Sequence, residues 1–277
     1  MAKKALCIGI NNYPGTHMDL QGCVNDANDW AAELAARGFK VGKLLDDQAT
    51  KAAMIEAMAA LIGKGAKGDT LVISFSGHGT YQPDTDGDEA DGLDEALCPY
   101  DLQTRGEALT DDEIRTLFLT RKAGVRIVLL SDSCHSGTVT RAAKGEKDAD
   151  TRPRFMPMGN WLPDKLLPRD RAGKVATTMV GATGTTPFFG AYSNKLGDLL
   201  ISGCKEGPNN YSYDARINGR YNGAFTYYAL KALKSQKPGA SYADWHKAIA
   251  KYLPSANYPQ VPQIVGSATA RKGRIFE

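Results

Sequence analysis

The chain is poor in cysteine, with five in 277 residues. Cys7, Cys23, Cys98, Cys134 and Cys204 are odd in number, scattered, and form no CxxC pair. That excludes a disulfide framework, argues against structural zinc, and fits a reduced, intracellular setting, so a cytoplasmic protein is expected. Long apolar runs are also missing. Met1-Ala2-Lys3-Lys4 is followed by only six weakly apolar residues before Asn11. This is too short for a secretory leader, and nothing later approaches a membrane span, so no membrane partner is expected. Charge of one sign is lacking too: 34 Lys and Arg against 31 Asp and Glu leave +3. Without a basic stripe interleaved with aromatics, nucleic acid is not an expected partner. There is no internal repeat and no low-complexity tract.

What is present is enough apolar residue, 42%, for a sizeable core, and charge that is unevenly placed. Seven of the twelve residues in Asp84–Glu95 are acidic, whereas Arg141–Lys174 holds nine Lys and Arg against five acids. Strand and helix signals alternate through the first half. Ala5–Ile10 and Phe39–Leu45 read as strands. Cys23–Arg37 carries Val24, Ala27, Ala31 and Leu34 at helical spacing, with Gly38 as the stop. Thr50 caps a helix with Ala53, Met54, Ala57, Met58 and Leu61 on one face. Thr70–Phe75 and Val125–Leu130 are continuous β-rich runs, as in strands covered on both faces. Between them, Thr110-Asp111-Asp112-Glu113 matches a capping box ahead of a helix. This order predicts an α/β fold with a mainly parallel central sheet and helices on both faces. Thr138–Gly197 breaks the pattern and reads as a long linker, with Val175–Val180 as a strand of its own. Order returns with a strand at Asp198–Gly203, a loop containing Asp214, and helices at Gly223–Lys234 and Ser241–Tyr252.

Two short segments carry the chemistry. Ser76-Gly77-His78-Gly79 and Asp132-Ser133-Cys134-His135-Ser136-Gly137 each follow a predicted parallel strand, with His78 and Cys134 fifty-six residues apart. Groups just past parallel strands meet at one rim of the sheet, where α/β sheets build sites. A thiol in a Ser/Gly turn beside an imidazole has the makings of a nucleophile with its base. Cys134 is read as the nucleophile and His78 as the general acid/base, with the N–H groups of Gly79 and Cys134 as an oxyanion hole. His135 is a competing base, but a side chain next to the nucleophile usually points the other way.

With Gly22–Ala27 and Asn222–Tyr227, these segments resemble the caspase-like cysteine peptidases, most closely the metacaspase/orthocaspase branch. The separation of histidine and cysteine by about fifty residues is a known property of caspases. The resemblance covers most of the chain except the linker. It implies a caspase-like (caspase–hemoglobinase) fold in one peptidase domain over 1–277: a large-subunit-like segment over residues 1–140, a linker over 141–197, and a small-subunit-like segment over 198–277. It implies Cys134 and His78 as the dyad, and a pocket for the residue before the scissile bond built from Cys23, Asp26, Ser76 and Asp132. Two carboxylates beside the thiol favour a cationic substrate side chain, Arg or Lys. Aspartate-specific caspases have arginines where Asp26 and Asp132 stand. The expected partners are therefore protein or peptide substrates with Arg or Lys before the scissile bond.

No organic cofactor is required. The acidic run Asp84–Glu95 places Asp84, Asp86, Asp88 and Glu95 at EF-hand ligand positions, but Glu89 stands where that loop needs glycine. By resemblance, a different calcium site would use Asp94, Asp111 and Asp112, although Arg141 occupies a position where a further acid is expected. Capping alone also accounts for Asp111 and Asp112. The basic linker, with Arg141, Lys144, Lys147, Arg152, Arg154, Arg169 and Arg171, offers targets for self-processing; the alternative is an uncleaved, solvated loop. Two other functions compete: a catalytically silent interaction or calcium-sensing module on the same fold, and a legumain-like peptidase cutting after Asn.

Overall fold

The computed structural model describes residues 1–84, 93–134, 150–167, 197–205 and 210–277. Its centre is a six-stranded sheet. β1 (Lys3–Gly9), β2 (Lys40–Leu45), β3 (Thr70–Ser76), β7 (Arg126–Asp132) and β9 (Leu199–Ser202) run parallel; β12 (Gln263–Gly266) is antiparallel at the edge. Their order across the sheet is β12-β9-β7-β3-β1-β2. Beyond the linker, β9 thus adds directly to β7, and β12 to β9.

The strands alternate between two cores, as a pleated strand covered on both faces must. Leu6, Ile8, Leu71, Ile73, Phe75, Ile127 and Leu129 face one layer, with α2 (Lys51–Gly63) and α4 (Asp111–Leu119). Ala5, Cys7, Val72, Val128 and Leu130 face the other, with α1 (Cys23–Ala36), α5 (Ala224–Lys234) and α6 (Tyr242–Ile249). Met54, Met58 and Ile62 form the buried stripe of α2; Trp30 of α1 and Trp245 of α6 pack edge to face, with centroids 6.0 Å apart. The predicted caps are present. Thr50 accepts from the Ala53 N–H, and Thr110 and Glu113 close a capping box. Two short helices, α3 (Leu102–Arg105) and α7 (Ala268–Lys272), complete the set.

Two small antiparallel sheets were not anticipated. β4 (Gly79–Pro83), β5 (Leu93–Leu97) and β6 (Leu109–Thr110) form one; β8 (Thr151–Pro153), β10 (Tyr213–Ile217) and β11 (Arg220–Gly223) form the other. Asp214, expected in a loop, lies on β10. The linker, in which only Val175–Val180 was expected as a strand, contains another strand and two 3-10 turns within 150–167. β8 and β10 are short and pair with each other across a long stretch of chain, which leaves little local periodicity. Val175–Val180, His135, Arg141, Lys144, Lys147, Arg169 and Arg171 lie outside the described residues.

Candidate active site

Gly9, Ser76 and Asp132 stand side by side at the carboxyl ends of β1, β3 and β7. The residues that follow each strand therefore share one rim. Gly77 permits the turn out of β3, because a Cβ there would sit 2.5 Å from the Tyr13 hydroxyl. That hydroxyl accepts the His78 backbone N–H at 2.8 Å, and the two rings lie 4.9 Å apart. His78 is fully buried. Its Nε2 is 2.6 Å from the Met18 carbonyl, which can only accept, so Nε2 carries the proton and Nδ1 is the bare base. Nδ1 has no hydrogen-bond partner. Burial pushes the imidazole down to about 4, so it is neutral at physiological pH. The backbone of Arg154 lies close enough to influence the ring's ionisation.

Cys134, two residues past β7, is buried, and its thiol donates to the Asn210 carbonyl at 3.0 Å. A second thiol, that of Cys204, donates to the Ser133 carbonyl at 3.3 Å. The N–H groups of Gly79 and Cys134, expected to form an oxyanion hole, converge on one acceptor. Each is 3.1 Å from the carbonyl oxygen of Arg154.

Arg154 organises the site. The Arg154 N–H donates to the Ser212 carbonyl at 2.8 Å, and β8 just before it pairs antiparallel with β10, so the segment lies across the rim as an added strand. Its side chain is fully buried among carboxylates. Nη2 is 2.7 Å from Asp26 and 2.8 Å from Asp214; Nη1 is 3.4 Å from the Asp132 carboxylate and 3.1 Å from the Asp132 carbonyl. Burial opposes the guanidinium charge, but the surrounding acids, Asp132 foremost, hold Arg154 protonated more firmly than usual. Each carboxylate is itself held. Asp26 accepts from Asn222 and the Gly223 N–H, Asp132 from Thr226 and Ser212, and Asp214 from the N–H groups of Gln21 and Gly22 at the start of α1. Gly223 is needed there, since a Cβ would overlap both the Asp132 carboxylate and the Arg154 guanidinium. Burial, helped by Asp132, pushes Asp26 up to about 7 against the opposing pull of Arg154.

Of the residues anticipated for the site, Cys134, His78, Gly79, Asp26 and Asp132 surround Arg154. Cys23 opens α1 beside them: burial pushes its thiol well up, Arg154 draws it down, and the three aspartates reinforce the burial. Ser76 ends β3 opposite Asp132. Of the calcium candidates, Asp94 lies on β5, which pairs with β6 immediately before α4, and Asp111 and Asp112 open α4. Asp112 pairs with Arg115 at 2.6 Å, and Asp111 lies in the same capped first turn of α4. Among the described residues, no three His, Cys, Asp or Glu side chains are disposed to hold a metal ion. Three participants were not anticipated in these roles: Asp214, Asn210 and Arg154 itself. Arg154 carried a signal as a linker arginine, but nothing local separates it from Arg152, which is exposed. Among the described residues, no helix is long and apolar enough to cross a membrane.

The chain is similar to known proteins. A family model described as "Metacaspase, peptidase C14 domain" matches residues 3–142. Metacaspase-1 of Kluyveromyces lactis is 32% identical over 95% of this chain, and Metacaspase-1 of Candida albicans is 33% identical over 96%. The chain spans 65% of the length of each of these two relatives. Among solved structures, protein GSU0716 from Geobacter sulfurreducens superposes with a TM-score of 0.72 at 34% identity, covering 99% of this chain and 98% of that one. Caspase-1 from Spodoptera frugiperda superposes at 0.55 with 12% identity, covering 96% of this chain and 86% of that one, which shows the fold alone. With the sheet, the paired His and Cys segments and these relatives in hand, the chain belongs to the metacaspase family.

Proposed function

We propose that the chain is a cysteine endopeptidase that cuts after Arg or Lys through Cys134 and His78, and that the Arg154–Phe155 bond of its own linker is one of its substrates. The observation that carries this is the seating of Arg154. Its carbonyl oxygen lies where two N–H groups converge, and its side chain fills a pocket of three carboxylates. A buried cation needs such counter-charges, and a pocket so charged rejects apolar and acidic side chains.

The reaction follows from the groups present. Once the thiol turns from the Asn210 carbonyl, its proton passes to Nδ1 of His78 and Sγ bonds to the substrate carbonyl carbon. Negative charge develops on the carbonyl oxygen, held by the Gly79 and Cys134 N–H groups. His78 returns the proton to the amine as the C–N bond breaks, leaving a thioester; water activated by the same imidazole releases the acid and restores the thiol. The Met18 carbonyl keeps the ring in the tautomer these steps need.

The segment Thr151–Met156 occupies the cleft as a strap, so the chain blocks its own site until this strap is cut or displaced. Mass spectrometry of the purified chain tests this directly. A cut between Arg154 and Phe155, absent from Cys134→Ala, is expected. A panel of peptides differing at the residue before the scissile bond separates the alternatives. Preference for Asn would favour a legumain-like activity, and equal signal from Cys134→Ala would leave a silent module.

A further inference from the structure

The strap continues beyond Arg154, and the cleft holds that continuation as closely as it holds Arg154. Phe155 is 3% exposed, and its ring lies 5.5 Å from that of Tyr81 with planes inclined by 30°. Tyr81 and Phe155 share one apolar cluster with Tyr211, Cys204 and Cys134. The next residue is gripped by its backbone. The Met156 N–H donates to the Gly79 carbonyl at 2.8 Å, and the Met156 carbonyl accepts from the Thr80 hydroxyl at 2.7 Å. Gly79 thus binds on both sides of Phe155, giving its N–H to the Arg154 carbonyl and taking that of Met156. The Met156 side chain is fully buried. On the other side of Arg154 the contrast is plain: Pro153 is half-buried and Arg152 exposed.

We propose that this cleft also reads the residue after the scissile bond, through an apolar subsite on Tyr81, flanked by Tyr211 and Cys204, that takes an aromatic side chain. The proposal rests on Arg154 being the residue before the scissile bond. An aromatic ring removes a large apolar area from water, and ring pairs at this separation add to that burial. A carboxylate in the same place would lose its hydration with no cation offered in return.

The test uses three internally quenched peptides with the sequence of residues 150–157, Asp-Thr-Arg-Pro-Arg-Xaa-Met-Pro, in which Xaa is Phe, Gly or Asp. They are given to the purified full chain. The strap competes equally with all three, so ratios of kcat/KM do not depend on how much of it is displaced. The Phe peptide is expected to exceed the Gly peptide by about tenfold, the range an apolar pocket supplies, and the Asp peptide by more. In Tyr81→Ala the Phe-to-Gly ratio should fall toward one; if that variant does not fold, the ratio in the unaltered chain decides. Cleavage of all three at rates within about twofold of one another, well short of what an apolar pocket supplies, overturns the subsite while leaving the peptidase standing. Absence of cleavage of every peptide, and of the chain itself, overturns both.

Discussion

Two groups of acids in this chain look alike in composition and differ in their surroundings. Asp111 and Asp112 are adjacent and half-buried in the capped first turn of a helix, where Asp112 pairs with Arg115 of the same helix. Asp26, Asp132 and Asp214 come from three distant strands or helices and close around one guanidinium that is 128 residues from Asp26 and 60 from Asp214. Acids in the first turn of a helix are favoured by its dipole and amides, and contribute tenths of a kcal/mol each. Buried acids that converge need a counter-ion, so their geometry specifies a ligand. Clustering along the chain is therefore a poor guide to a charged site; convergence in space is a good one.

The sharpest way to break this comparison is to remove the chemistry the convergent acids serve. Cys134→Ala should lower both self-cleavage and peptide hydrolysis by about a thousandfold or more, read by mass spectrometry and by fluorescence; activity near that of the unaltered chain would dismantle the site. Next in size is the pocket itself. Asp214→Asn should cost about 2 kcal/mol or more of substrate binding, since truncating a buried charge partner does so, and appear as a raised KM for Arg peptides. An unchanged KM would take Asp214 out of the pocket.

The third effect is on pH. Burial pushes Asp26 up to about 7, and only its ionised form pairs with the substrate cation. That value already includes the downward pull of Arg154, so in a pocket without a cation Asp26 lies higher still. The kcat/KM for an Arg peptide should thus still be climbing as pH rises through about 7, and Asp26→Asn should flatten that limb. A pH profile already flat across that value in the unaltered chain would contradict it. On folding the sign is opposite. The raised folded-state value stabilises below the ordinary carboxylate range, and that contribution is lost as pH rises through about 7.

The helix-start acids should show far less. Thr110→Ala removes the cap and should cost about 1 kcal/mol, seen as a Tm lower by about 2–4 °C with hydrolysis unchanged. Asp112→Asn should cost only about 0.5 kcal/mol. A rise in Tm on adding millimolar calcium, abolished by Asp112→Asn, would erase the contrast by giving this pair a ligand as well.

The long elements were legible because their signals are local. Thr70–Phe75 and Val125–Leu130 are apolar runs suited to buried strands, and Thr110 with Glu113 spells a cap within one turn. The position of His78 and Cys134 at one rim was legible because each follows such a strand directly. Asp214 was not, since β10 is short and its register depends on β8 and β11, both remote or mixed in pattern. Arg154 was visible only as one basic linker residue among several. Its burial depends on the three aspartates and on the N–H groups of Gly79 and Cys134, none of which is its neighbour in sequence.

By itself the sequence determined the alternation of strands and helices and the placing of a histidine and a cysteine at one sheet rim. These follow from periodicity, turn chemistry and the direction of parallel strands, all of which act over a few residues. Only the tertiary structure decided which linker residue enters the pocket, that a third carboxylate joins it, and that Phe155 and Met156 are held beyond it. Those outcomes rest on charge pairing, backbone pairing and apolar burial between segments far apart in the chain, and such contacts exist only once the chain has folded.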